Sequence, residues 1–302
     1  MSYVHTNQER DMAPNPQVTP EMQAEQAFQA VARACIERYR RHLPELRQSW
    51  DAEALHQARL GLRQLLAAFA LFRPMIKGQP FRLLHGRVRT AAHILGEARN
   101  LDIVLEATHQ PDLPALRSTV SVQRSRTYAG VVQRLESAGN RHLAEELLDW
   151  VESGAWRARR SGLRRQPIKE IAADRLDRRW TKFRKNSRHL EDLAPGPRHK
   201  VRIATKKLRY GLEFMASLAQ GRKTRKRRDA LIDSLKRLQD ALGTLNDVRT
   251  ERTLARTFVR ESREVAYATG KLIGAEEVRT APLLRQAAKA ARKLRKKKPF
   301  WR

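Results

Sequence analysis

Apolar residues recur along this chain at three- and four-residue steps. From Glu21 the stripe Phe28, Val31, Ala32, Cys35, Tyr39, His42, Leu43 and Leu46 has the spacing of a helix that buries one side. Asp51 is placed to cap a second helix to about Phe72, with the stripe Leu55, Ala58, Leu62, Leu65, Leu66 and Phe69. Gly78 and Pro80 separate it from a third helix over about 81–107. A fourth helical region covers about 112–152, with a break at Gly139. The pattern then restarts with Ile168, Ile171, Ala172, Leu176, Trp180, Phe183 and Leu190. Pro195, Gly196 and Pro197 end that element and open the next, and further helices are predicted at about 198–219, 224–246, 248–272 and 276–297. Nothing alternates like a β-strand for more than a few residues. The expected class is all-α.

Residues 1–20 hold Pro14, Pro16 and Pro20 among polar residues without a period, which reads as a disordered leader. The longest apolar run, Leu65 to Phe72, is far short of the roughly 20 residues of a membrane span, and no signal-peptide pattern opens the chain. Cys35 is the only cysteine, so neither a disulfide framework nor a cysteine zinc site is available. A cytoplasmic protein without a cofactor is the expectation.

Charge sharpens the picture. The 302 residues carry 62 Lys and Arg against 32 Asp and Glu, a formal net charge of +30. Residues 1–150 hold 19 basic against 16 acidic residues, and residues 151–302 hold 43 against 16. Self-repulsion on that scale calls for a polyanionic partner, which could be nucleic acid, polyphosphate or an acidic membrane surface.

The two halves also match internally. His56-Gln57-Ala58-Arg59-Leu60-Gly61-Leu62-Arg63-Gln64-Leu65 aligns without a gap on His199-Lys200-Val201-Arg202-Ile203-Ala204-Thr205-Lys206-Lys207-Leu208. Farther on, Leu95-Gly96-Glu97-Ala98-Arg99-Asn100 aligns on Leu242-Gly243-Thr244-Leu245-Asn246-Asp247. Two ordered matches at nearly one offset predict a duplicated unit, and hence two helical bundles about a pseudo-two-fold axis. At 100° per residue, His56, Arg59 and Arg63 fall within about 60° of each other, and His199, Arg202, Lys206 and Arg209 within about 80°. Each basic stripe borders an apolar one. If the axis brings the stripes together, they line a positive channel.

The doubled His-x-x-Arg-x-x-x-(Arg/Lys) motif, each copy followed by a Leu-Gly-x-x segment, resembles the CHAD family, the histidine-containing α-helical domain. The second copy is the closer match. The resemblance covers about 21–297, as a first bundle over 21–152 and a second over 165–297, with a basic-aromatic tail at 298–302. It implies two four-helix bundles around a basic central groove or pore that binds inorganic polyphosphate, with an association with polyphosphate granules. Carried over by position, the anion-binding set is His56, Arg59, Arg63, His199, Arg202, Lys206, Lys207 and Arg209. Gln64 and Leu66 stand where the second copy has Lys207 and Arg209, so the first copy departs from the pattern.

These residue types suit polyphosphate, which offers phosphate oxygens and no bases to stack. Single-strand nucleic-acid binders interleave aromatics with basic residues, and here only Tyr210 lies beside the basic stripe. Arg99 and Asp102 are spaced to pair on one helix, and Asn100, Asn246 and Asp247 read as caps or kinks. No phosphate loop, His-Glu-x-x-His or Glu-x-Glu-x-Lys motif is present, so binding without catalysis is expected. The runs at 222–228 and 292–298 crowd one sign. They support an alternative, a nucleoid-associated DNA-binding protein, or an adaptor whose Phe300 and Trp301 meet a granule or membrane surface.

Overall fold

The computed structural model describes residues 18–109, 112–158 and 162–301. In chain order the helices are α1 (Ala24–Arg41), α2 (Leu43–Ser49), α3 (Ala52–Ile76), α4 (Gln79–Ala107), α5 (Pro114–Glu136), α6 (Leu143–Ser153), α7 (Ile168–Asn186), α8 (Pro195–Phe214), α9 (Arg222–Ala255) and α10 (Arg263–Arg295). Among the described residues there is no β-strand, only a single bridge between Gln23 and Pro167. The all-α class holds. No helix among the described residues is long and apolar enough to cross a membrane.

Within the first half α1 packs on α3, α3 on α4 and α4 on α5. Within the second, α7 packs on α8, α8 on α9 and α9 on α10. Between the halves α3 touches α8, α4 touches α9 and α5 touches α10. One apolar core runs through both halves, and a smaller cluster around Val104, Leu116, Ala255 and Phe258 joins the far ends of α4, α5, α9 and α10. Among the described residues the first half carries six α-helices, not four, because α2 and α6 are added to α1, α3, α4 and α5.

Several boundaries differ from the sequence reading for local reasons. The first stripe is one continuous pattern, but the helix breaks at His42, where Pro44 lies in the first turn of α2 and has no N–H to give to an extended α1. Asp51 does cap α3, accepting the Ala54 N–H at 2.5 Å. The fourth region breaks near Gly139, as expected. In contrast, α9 runs straight through Asn246 and Asp247, held by buried Leu235, Leu238, Leu242 and Val248. The break lies farther on, at a 3-10 turn over Arg256–Phe258, and Ser262 then caps α10 by accepting the Val265 N–H at 3.2 Å. The break expected near 272–276 is absent, since α10 continues through it.

At the chain's ends, residues 1–17 of the expected leader lie outside the described residues. Val18 is buried, and its carbonyl accepts a hydrogen bond from the Ser217 hydroxyl. Phe300 is buried, and Trp301 donates to Asp177 Oδ1 at 2.8 Å while meeting Trp180 edge-on. The tail is packed on α7 and does not present its aromatics outward. The basic runs are also partly tied down. Arg228 donates to the Ala216 carbonyl at 2.9 Å, and Arg292 pairs with Glu191 at 2.7 Å.

Candidate functional site

Helices α3, α4, α8 and α9 leave a cleft of about 350 Å³ between them. His56, Arg59 and Arg63 line it from α3, and Arg202, Lys206 and Arg209 from α8. Both stripes therefore face one space. Lys207, His199 and Arg209 differ from the other predicted residues in where they lie or in what already holds them.

Lys207, one position and 100° on from Lys206, is turned out of the cleft toward α7; burial first, then Arg179 and Lys182 of that helix, lower its ammonium pKa. Its carbonyl accepts the Arg179 guanidinium at 2.6 Å. His199 is exposed and lies at the mouth of a neighbouring groove, not among the cleft's lining. Arg209 does line the cleft, but it is 1% exposed, pairs with Glu213 at 2.7 Å and donates to Gln239 Oε1 at 2.8 Å. Its guanidinium also stacks over the Tyr210 ring at 4.8 Å. Its charge is already answered inside the fold.

The remaining cations are not answered in this way. Among the described residues Arg59, Arg63, Arg202 and Lys206 form no ion pair, and the Nε groups of Arg59 and Arg63 are buried without a hydrogen-bond partner. Burial first, then Arg63, Arg202 and Arg99, bring the Arg59 guanidinium down to about 9. Burial and the surrounding guanidiniums hold the Lys206 ammonium well below its ordinary range. For Arg202, burial and Arg63 act downward while Asp247 and Tyr210 act upward. Asp240 and Asp247 are the carboxylates that line the cleft, and at Asp247 burial outweighs Arg202 and raises the carboxyl pKa. The Tyr210 hydroxyl is buried nearby without a partner. In the free protein this cluster opposes itself, and an anion entering the cleft relieves the repulsion and supplies acceptors.

The lining also includes residues outside the predicted set, among them four that the internal match contains: Arg99 and Asn100 on α4, Asn246 and Asp247 on α9. Their spacing and composition suggest pairing or capping groups instead. Asp102 does fill that structural role, accepting Arg124 Nε at 2.8 Å and the Tyr128 hydroxyl at 2.9 Å. The other four sit in the second aligned segment of each half, so the same internal match that exposes the α3 and α8 stripes also marks them. Lys236 lines the cleft too. It stands seven and eleven residues before Gly243 and Asp247, on their helical face.

An all-helical protein whose α3, α4, α8 and α9 enclose a cation-rich cleft is the class that this fold and site define. The chain belongs to the CHAD domain family, whose profile matches residues 30–256. Among solved structures it is similar to the CHAD domain from the plant Ricinus communis, with a TM-score of 0.81 at 23% identity over 93% of this chain and 96% of that one. It is also similar to PptA from Streptomyces chartreusis, with a TM-score of 0.65 at 15% identity over 90% of this chain and 100% of that one. At these identities the likeness concerns the fold. No curated protein matches the chain.

Proposed function

We propose that the cleft binds inorganic polyphosphate and does so without turning it over. The observation that carries this reading is the group Arg59, Arg63, Arg202 and Lys206, half-buried on two facing helices with no ion pair among the described residues. Exposed lysines and arginines gain little from being paired, whereas half-buried, mutually repelling ones gain much from a flexible anion that reaches between the helices. The family supports the ligand class. The matching order of helices in the two halves is what an internal duplication would leave, with the cleft on its pseudo-two-fold axis. Binding at polyphosphate granules in the cytoplasm follows from the same reading.

The shape of the site favours polyphosphate over duplex DNA. A cleft of about 350 Å³ admits a single thread of phosphates, while a duplex can touch only groups that stand clear of the surface. A competition titration tests this. Labelled polyphosphate should resist displacement by duplex DNA at matched phosphate concentration and physiological salt. Equal or preferential displacement by DNA would assign the charge to nucleic acid.

A further inference from the structure

The cleft does not end the basic surface. A second groove of about 250 Å³ runs between the start of α8 and the C-terminal half of α9, and Arg202 and Asn246 line both spaces. From α8 the groove takes Arg198 and His199. From α9 and the turn behind it come Arg249, Arg252 and Arg256, spaced i, i+3 and i+7, which sets them on one face. No carboxylate lines this groove among the described residues. Arg252 is paired, with Glu277 of α10 at 2.8 Å, but Arg198, Arg249 and Arg256 form no ion pair among the described residues. His199 stands at the junction. Burial lowers its pKa, and so do Arg202 and Lys206 from the cleft side and Arg249 from the groove side, so it feels both clusters at once.

We infer that this groove is a second polyphosphate subsite, joined to the cleft through Arg202, so that a long chain runs from the cleft past His199 onto Arg249 and Arg256. The inference rests on the reading of the cleft given above. Helix geometry sets the length at which the two spaces act together. Lys236 of the cleft and Arg252 of the groove are sixteen residues apart on α9, about 24 Å along its axis. A three-phosphate chain is shorter than this span, and only a chain several times longer reaches both spaces. Sequence alone hides the groove because Arg249, Arg252 and Arg256 have no counterpart in the aligned segments, and because the expected helix break at 246–248 cuts them away from the cleft.

The test compares tripolyphosphate with a chain of about 60 phosphates on the full-length protein. The double variant Arg249→Gln/Arg256→Gln leaves the Arg252–Glu277 bridge in place. It should bind the long chain about tenfold more weakly and flatten the dependence of log K on log salt by about 1 to 2, while tripolyphosphate affinity changes less than twofold. Thr253→Glu, which adds a carboxylate to the groove and removes no cation, should act in the same direction. Long-chain affinity and salt slope equal to wild type in both variants would overturn the groove. So would a parallel loss of tripolyphosphate, since the two spaces would then not be separable. Wild-type protein that binds neither chain would instead overturn the cleft reading beneath it.

Discussion

Gly96 of α4 makes room for the Arg59 guanidinium of α3: a Cβ at Gly96 would stand 3.4 Å from Arg59 Nε and 3.6 Å from Nη2. The Arg59 guanidinium thus lies against α4 at Gly96, with room between them for a methyl group. Gly96→Ala meets only ordinary contact distances and should bind polyphosphate almost as wild type does. Gly96→Val should push the guanidinium aside and weaken binding about fivefold, with stability changed by less than about 1 kcal/mol. Titration and thermal melting of the two variants side by side check this.

Lys206 is predicted to cost the free protein stability. Its folded-state pKa lies below its unfolded one, so the cost is greatest below the folded value and fades as pH rises from the folded toward the unfolded value. Lys206→Met should raise the melting temperature at pH 7 by about 2 °C, an advantage that shrinks as pH approaches 10, and should weaken polyphosphate binding about tenfold. Melting curves across pH, paired with titrations, would reveal a lysine that is merely structural if the variant melts lower.

The packing of α1 on α3 depends on Gly61. A Cβ there would lie 2.8 Å from both the Cys35 carbonyl oxygen and the Tyr39 nitrogen, backbone atoms that cannot swing away. Gly61→Ala should cost about 2 to 3 kcal/mol. A Cβ at Gly130 of α5 would meet nothing within 4 Å, so Gly130→Ala should stabilise by about 0.5 to 1 kcal/mol through helix propensity. Denaturant titrations give both signs.

His199 couples binding to protons. In the free protein, burial and then Arg202, Lys206 and Arg249 hold its pKa below the ordinary value, and a polyanion alongside reverses the repulsive part. Affinity should therefore rise as pH falls from about 7 to 5.5, the range in which the bound protein holds a proton that the free one has released. His199→Gln should flatten that rise and leave the melting temperature within about 1 °C. An unchanged pH profile would show that the imidazole stands apart from the ligand.

Much of this is legible in the sequence. The three-and-four spacing marks the helices, and the internal match between the His56 and His199 segments puts Arg59, Arg63, Arg202 and Lys206 on helices that do meet. What it does not reveal is set by tertiary context. Arg209 shares the stripe's arc, yet Glu213 one turn later claims its charge. Lys207 follows the motif but is turned toward α7 by the helical step. Asn246 and Asp247 have the composition of a helix end, and core leucines on α9 override that preference. Phe300 and Trp301 look like a surface tail because nothing in their neighbourhood shows that α7, more than a hundred residues earlier, covers them.

The central claim is that the half-buried cations of the cleft hold the polyanion, and not the greater number of exposed ones. Arg63, Arg202 and Lys206 replaced together by Ala should be compared with Arg225, Lys226 and Arg227 replaced together, since both variants lose the same formal charge. Polyphosphate affinity measured from low to physiological salt decides between them. The cleft variant should lose more than about a hundredfold and flatten the log–log salt slope by about 2 to 3, while the surface variant loses less than about tenfold. A surface variant that binds as weakly as the cleft variant, or more weakly, would contradict the account.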